Sequence, residues 1–228
     1  DDGLYVLKFR GAGQGPKALI AELVAGEIAR AAGLRVPEIV LMELDPELAR
    51  TEPDPEIQEL IRASAGLNFG IDFLPGAMTF DPLVMQPDAE LASKIVWADA
   101  FFTNLDRTAR NTNMLTWHRK LWLIDHGAAL YFHHSWDDYL ARSRTPFPLI
   151  KDHVLLPFAT KLPEADKVLS ALLTPELIVE TVAAIPDAWL PAEAPFANLA
   201  EHRQAYVDYL ASRLTAPRAF VQEAQRAR

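Results

Sequence analysis

The sequence predicts an α+β protein with a small sheet-rich part followed by a larger helical part. Three observations carry this. Short alternating apolar runs dominate up to Gly76, and amphipathic helical segments dominate after Trp136. Between them, residues 88–103 form an apolar helical stretch that leads into an irregular, polar-rich segment, "NLDRTARNTNMLTWHRKLWLIDHG". The expected boundary lies at Gly76, giving units 1–76 and 77–228.

Taken in order, "LYVLKF" (4–9) alternates as a strand does. It follows "DDG", a hairpin-turn signal that leads one to expect a further strand upstream. "GAGQGP" reads as a loop, and Pro16 suits a first helical turn. Apolar residues at helical spacing then run over 17–32, with Gly33 as the stop. "RVPEIVLMEL" (35–44) is expected as a strand, and the acidic, proline-broken stretch after it holds at most a short helix following Pro55. "LNFGIDFLPG" (67–76) is a strand closed by a Pro-Gly turn. "NMLTW" and "LWLI", joined by "HRK", predict a hairpin. Downstream, "DDYLARS", "IKDHVLLPFATKL", "EADKVLSALL", "PELIVETVAAI" and "NLAEHRQAYVDYLASRL" are expected as successive helices.

Composition narrows the function. The 228 residues, half of them hydrophobic, suffice for one large core or two lobes sharing an interface. A net charge of −9 argues against nucleic acid or an anionic membrane as partner. The absence of cysteine excludes disulfides, thiolate zinc sites and a cysteine nucleophile. With no run of apolar residues long enough to span a bilayer, a cytosolic location is expected.

Two motifs are weak. "GAGQG" after a strand invites a dinucleotide or phosphate-loop reading, but Pro16 occupies the position both patterns need, and Ala18 lacks the hydroxyl of the second. "HHSWDD" (133–138) offers metal-ligating side chains but no recognised spacing, and pairs four apart would equally support a helix start.

The stronger constellation surrounds the hairpin. A hairpin returns Asp125 to the neighbourhood of Asn111, with Asp106 on the loop just before it. Magnesium prefers one or two carboxylate or amide oxygens together with phosphate oxygens. Asn111 and Asp125 supply one each, and Asp106, left off the metal, is placed to accept the proton of an attacking hydroxyl. Such a site also needs a cation on the nucleotide phosphates; Lys8 is the candidate, held by Glu22 or, in competition, Glu27.

This order of strand lysine, helix glutamate, Asp-x4-Asn, hairpin and Asp-x-Gly resembles that of HipA-like kinases, in the branch of small single-domain bacterial members, from residue 1 to the C-terminal helix. The resemblance implies a two-lobed protein-kinase-like fold. "YVLKF" is similar to the family's nucleotide-binding strand, pointing to Lys8, and the glutamate eleven residues before a Gly-Leu pair selects Glu22. "IDFLPG" is similar to the segment linking the lobes, so adenine would meet the backbone near Phe73 and Leu74. "NLDRTARN" resembles the family's catalytic loop, implying Asp106 as catalytic acceptor and Asn111 as metal ligand; "LIDHG" implies Asp125 as the main magnesium ligand. The glycine loop that covers phosphates in this superfamily precedes the lysine strand, whereas "GAGQG" follows Lys8.

The expectation is therefore a Mg-ATP-dependent phosphotransferase acting on a hydroxyl of a protein Ser/Thr or a small molecule. Its competitors are a nucleotide-binding pseudokinase without turnover, a metal-dependent hydrolase using His126, His133 and Asp125, and a purely structural helical domain.

Overall fold

The structure is a computed structural model that describes residues 3–13, 15–191 and 195–228. The expected turn at Asp1 and Asp2, and Gln14 of the glycine loop, lie outside the described residues.

Strand β1 (Tyr5–Lys8) and β2 (Ile39–Leu44) both pair antiparallel with β3 (Gly66–Asp72), giving a three-stranded sheet of order β1-β3-β2. Helix α1 (Pro16–Ala31) lies between β1 and β2 in the chain, starts at Pro16 as expected, and is followed by Gly33 at φ 77°. β2 begins four residues later than the strand expected over 35–44, because Pro37 has no N–H to donate to a ladder. The acidic stretch holds a 3₁₀ turn (Pro46–Arg50) and α2 (Pro55–Ala63), whose Asp54 cap accepts from Glu56 N at 2.8 Å.

Beyond Gly76, β4 (Met78–Thr79) joins β5 (Met114–Trp117) and β6 (Lys120–Leu123) in a second antiparallel sheet. The hairpin turn is tighter than "HRK" suggested: only His118 (φ 48°) and Arg119 (φ 58°) lie outside the strands, the two-residue form that matches strand twist. Helix α3 (Ala89–Phe102), capped by Asp88, is apolar on nearly all sides and correspondingly buried through Ile95, Val96, Trp97, Phe101 and Phe102.

The remaining helices are α4 (Tyr139–Ser143), α5 (Leu162–Leu172), α6 (Pro175–Ala183), α7 (Leu199–Leu214) and α8 (Ala219–Ala227). One expectation fails here. "IKDHVLLPFATKL" makes two short 3₁₀ turns, Pro148–Asp152 and Leu156–Phe158, not an α-helix. Pro157 interrupts the run, and His153 turns inward to a buried carboxylate. One hydrophobic cluster runs from Leu19 and Ile28 of α1, through α3, to Tyr206 and Phe220 of α7 and α8. Among the described residues no helix is long and apolar enough to cross a membrane.

Candidate active site

Lys8 ends β1 opposite Phe69, and its ammonium donates to Glu22 Oε1 and, at 2.6 Å, to Asp125 Oδ1. Glu22 therefore holds Lys8, while Glu27 pairs with Arg30 at 2.8 Å on the surface. Glu22 does not sit on a polar helix face: it is 1% exposed, because α1 is covered on both sides, by the sheet and by α6. Its second oxygen accepts the backbone N–H of His126 at 2.9 Å. Burial pushes the Glu22 carboxyl up to about 7 against the pull of Lys8. Lys8 is itself held above its ordinary value: burial lowers it, but Glu22 and Asp125 together outweigh that. The two groups respond differently because Glu22 has lost water on every side, whereas Lys8 still reaches the cleft.

Asp125 is in the left-handed region at φ 56°, which an aspartate tolerates better than most residues. Although burial pushes its carboxyl up, Lys8 outweighs this and holds it below its ordinary value. At Gly127, two residues on, an added Cβ would lie 3.0 Å from Glu22 Oε1, so a side chain there would require the buried carboxylate to give way by a few tenths of an ångström. His126 is fully buried, which, with Arg107 nearby, pushes its imidazole down to about 3 and keeps it neutral.

The loop carrying Asp106 and Asn111 hangs from a buried carboxylate that sequence reasoning missed. Asp99 of α3 accepts from Asn104 Nδ2 (2.9 Å) with one oxygen, and from Arg107 Nε (2.6 Å) and His153 Nε2 (2.9 Å) with the other. Arg107 in turn donates through Nη1 to the carbonyl of Asn113, at the base of the hairpin. The signal was present as a lone acid inside the apolar run Ile95–Phe102, but its partners lie up to 54 residues away. At the loop, Asn111 Nδ2 donates to Asp106 Oδ2 at 2.7 Å. Asn113, also missed, reaches the same oxygen at 3.2 Å.

The hairpin sets the two metal-ligand candidates at the same end of its ladder, Asn111 ahead of β5 and Asp125 after β6, with no direct contact between them among the described residues: β5 and β6 pair Met114 with Leu123, and Ile124 N donates to Asn113 O at 3.1 Å. The donor set fits a hard divalent cation: one half-exposed carboxylate, and an exposed amide whose carbonyl oxygen is engaged by no hydrogen bond among the described residues.

A cavity of about 380 Å³ lies between the two sheets. Val6 and Ile71 line it from one sheet and Leu115 and Ile124 from the other; Phe73 and Leu74 close the back, and Lys8 and Asp125 stand at its polar end. Phe73 N–H is spent on Leu4 O at 2.9 Å. Among the described residues nothing engages Phe73 C=O or Leu74 N–H, so the free edge is narrower than the sequence suggested. Lys8, Glu22 and Asp125 also border a second cavity, of about 430 Å³, on the side of Ala12 and Gly13.

"HHSWDD" builds no metal centre. Tyr131–His134 is a 3₁₀ turn and α4 begins only at Tyr139, so the four-apart pairs do not share a helix face. His133 is buried with Nδ1 3.1 Å from the Tyr206 hydroxyl. Among the described residues no three His, Asp or Glu side chains are grouped to hold a metal ion.

Two small sheets around an apolar cleft, a lysine clamped by two carboxylates, and an Asp–Asn loop beneath define the architecture of a kinase. The crystal structure of the Helicobacter pylori proinflammatory kinase CtkA has the same fold, with a TM-score of 0.57 at 15% identity, over all of this chain and 88% of that one. A family model described as HipA-like kinase matches residues 1–219, and the chain belongs to that family. No curated protein matches it.

Proposed function

We propose that the chain is a Mg-ATP-dependent phosphotransferase that moves the γ-phosphoryl group to a hydroxyl, with units 1–76 and 77–228 as the two lobes. The observation that carries this reading is the Lys8 ammonium, held between buried Glu22 and cleft-facing Asp125 at the polar end of an apolar slot. In this account the base occupies the slot against Val6 and Ile124, its edge directed to Phe73 C=O and Leu74 N–H. Lys8 neutralises phosphate charge and Glu22 keeps Lys8 from wandering. Asn111 and Asp125 would hold the magnesium ion, which would supply charge neutralisation to the phosphates. Asp106 accepts a hydrogen bond from the acceptor hydroxyl and orients it, the main task of protein in a reaction governed by positioning and charge. The acidic surface favours a protein Ser/Thr or a small alcohol over nucleic acid as acceptor.

The test is to incubate the chain with magnesium and γ-labelled ATP and to follow label into orthophosphate or onto protein. Wild type should move label, and Asp106→Asn should slow it by about 10²–10⁴-fold. Equal rates in the two proteins would refute the role of Asp106.

A further inference from the structure

The sequence gives Asn113 no role beyond opening the hairpin run "NMLTW", yet it touches the proposed catalytic acid twice. Its Nδ2 is 3.2 Å from Asp106 Oδ2 and 3.3 Å from the Asp106 carbonyl. Its own carbonyl accepts from Ile124 N at 3.1 Å and from Arg107 Nη1, so its backbone is pinned by the hairpin and by the Asp99 network together. It is 8% exposed and sits at φ 47°, a conformation that Asn adopts more readily than most residues.

We propose that Asn113 is a positioning residue that fixes the Asp106 carboxylate, acting independently of Asn111; this rests on the reading of Asp106 as the acid that aligns the acceptor. Both amides converge on Oδ2, and Oδ1 of Asp106 is engaged by no hydrogen bond among the described residues, which leaves that oxygen for the acceptor hydroxyl. The two asparagines then divide the work. Asn111 is exposed and its side-chain Oδ1 is engaged by no hydrogen bond among the described residues, whereas Asn113 is buried and rigidly mounted. Holding the acid from a fixed point matters because small misplacements of a reacting group cost large factors in rate.

The test uses Asn113→Gly, which accepts the positive φ and deletes the amide, and Asn113→Asp, which keeps the shape and removes the donor. Both should retain Mg-ATP affinity within about twofold while turnover of Mg-ATP falls by about 10–100-fold. Wild-type turnover in both variants overturns the proposal, and so does a loss of Mg-ATP affinity that accounts for the lost rate. An independent reading comes from the metal-free, nucleotide-free protein: Asp106→Asn should displace the side-chain NH₂ signals of Asn113 in a ¹⁵N spectrum. Unmoved signals overturn the proposal whether or not the chain is an active kinase. Displaced signals in a protein that never turns over ATP support the contact and overturn the kinase reading instead.

Discussion

Lys8 Nζ lies 2.6 Å from Asp125 Oδ1 while it also donates to Glu22, so one cation ties the small sheet, α1 and the end of the hairpin together. Lys8→Met removes that tie and leaves Glu22 in the interior without its partner. We expect Mg-ATP turnover to fall by about 10²–10³-fold, the scale of losing one preorganised charge contact. The accompanying stability loss should be about 3–5 kcal/mol where Glu22 is ionised, the usual effect of orphaning a buried charge. It should be smaller at pH 6 than at pH 8.5, since a carboxyl near 7 escapes by taking a proton. Urea denaturation at the two pH values checks this; a pH-independent loss contradicts it.

Glu22 also sets a pH dependence with a definite sign. Its folded-state value of about 7 lies above the ordinary 4.5, so its contribution to stability is fully present below pH 4.5 and is lost as pH rises to about 7. Glu22→Gln removes this linkage. The stability of wild type relative to Glu22→Gln should therefore decline across pH 4.5–7 and level off above it. A difference that stays flat or rises through that window would contradict the assignment.

Asp99 is the hub of the loop. Burial alone would raise its carboxyl, but Arg107 and His153 outweigh that and hold it well below the usual range. Its stabilisation is thus present above the ordinary carboxylate value and fades only in strong acid. Asp99→Ala strands the fully buried Arg107 and should cost about 3–5 kcal/mol in a urea titration. Turnover should fall too, because Arg107 would no longer anchor the Asn113 carbonyl beside Asp106.

Part of this was legible in spacing: the expected Lys8–Glu22 pair is present, and alternation predicted the hairpin of β5 and β6. What escaped depends on partners far away. Asp99 reads as a helix residue like any other until His153 arrives from a turn that apolar periodicity had cast as α-helix. Asn113 reads as the first residue of a strand, and only the left-handed backbone turns its amide to Asp106. Nor does helix periodicity reveal that Glu22 is buried, since it shows one apolar face of α1 while the helix packs against both the sheet and α6.

Arg213 of α7 presents a different kind of support. It is buried and donates to the carbonyls of Ala100 (2.8 Å), Phe101 (3.0 Å) and Ser143 (3.0 Å), which satisfies the end of α3 just before the Asp106 loop. Arg213→Met keeps the volume and abandons those carbonyls. A loss of about 3 kcal/mol is expected, from one charge-assisted contact and the unsatisfied groups it leaves. An unchanged urea midpoint would contradict this.

Asp125 and magnesium should act together on a nucleotide, which calorimetric titration of ATP can decide. Wild type should bind ATP more tightly with magnesium than without it, and Asp125→Asn should abolish the difference. Binding that ignores both magnesium and Asp125 would contradict it.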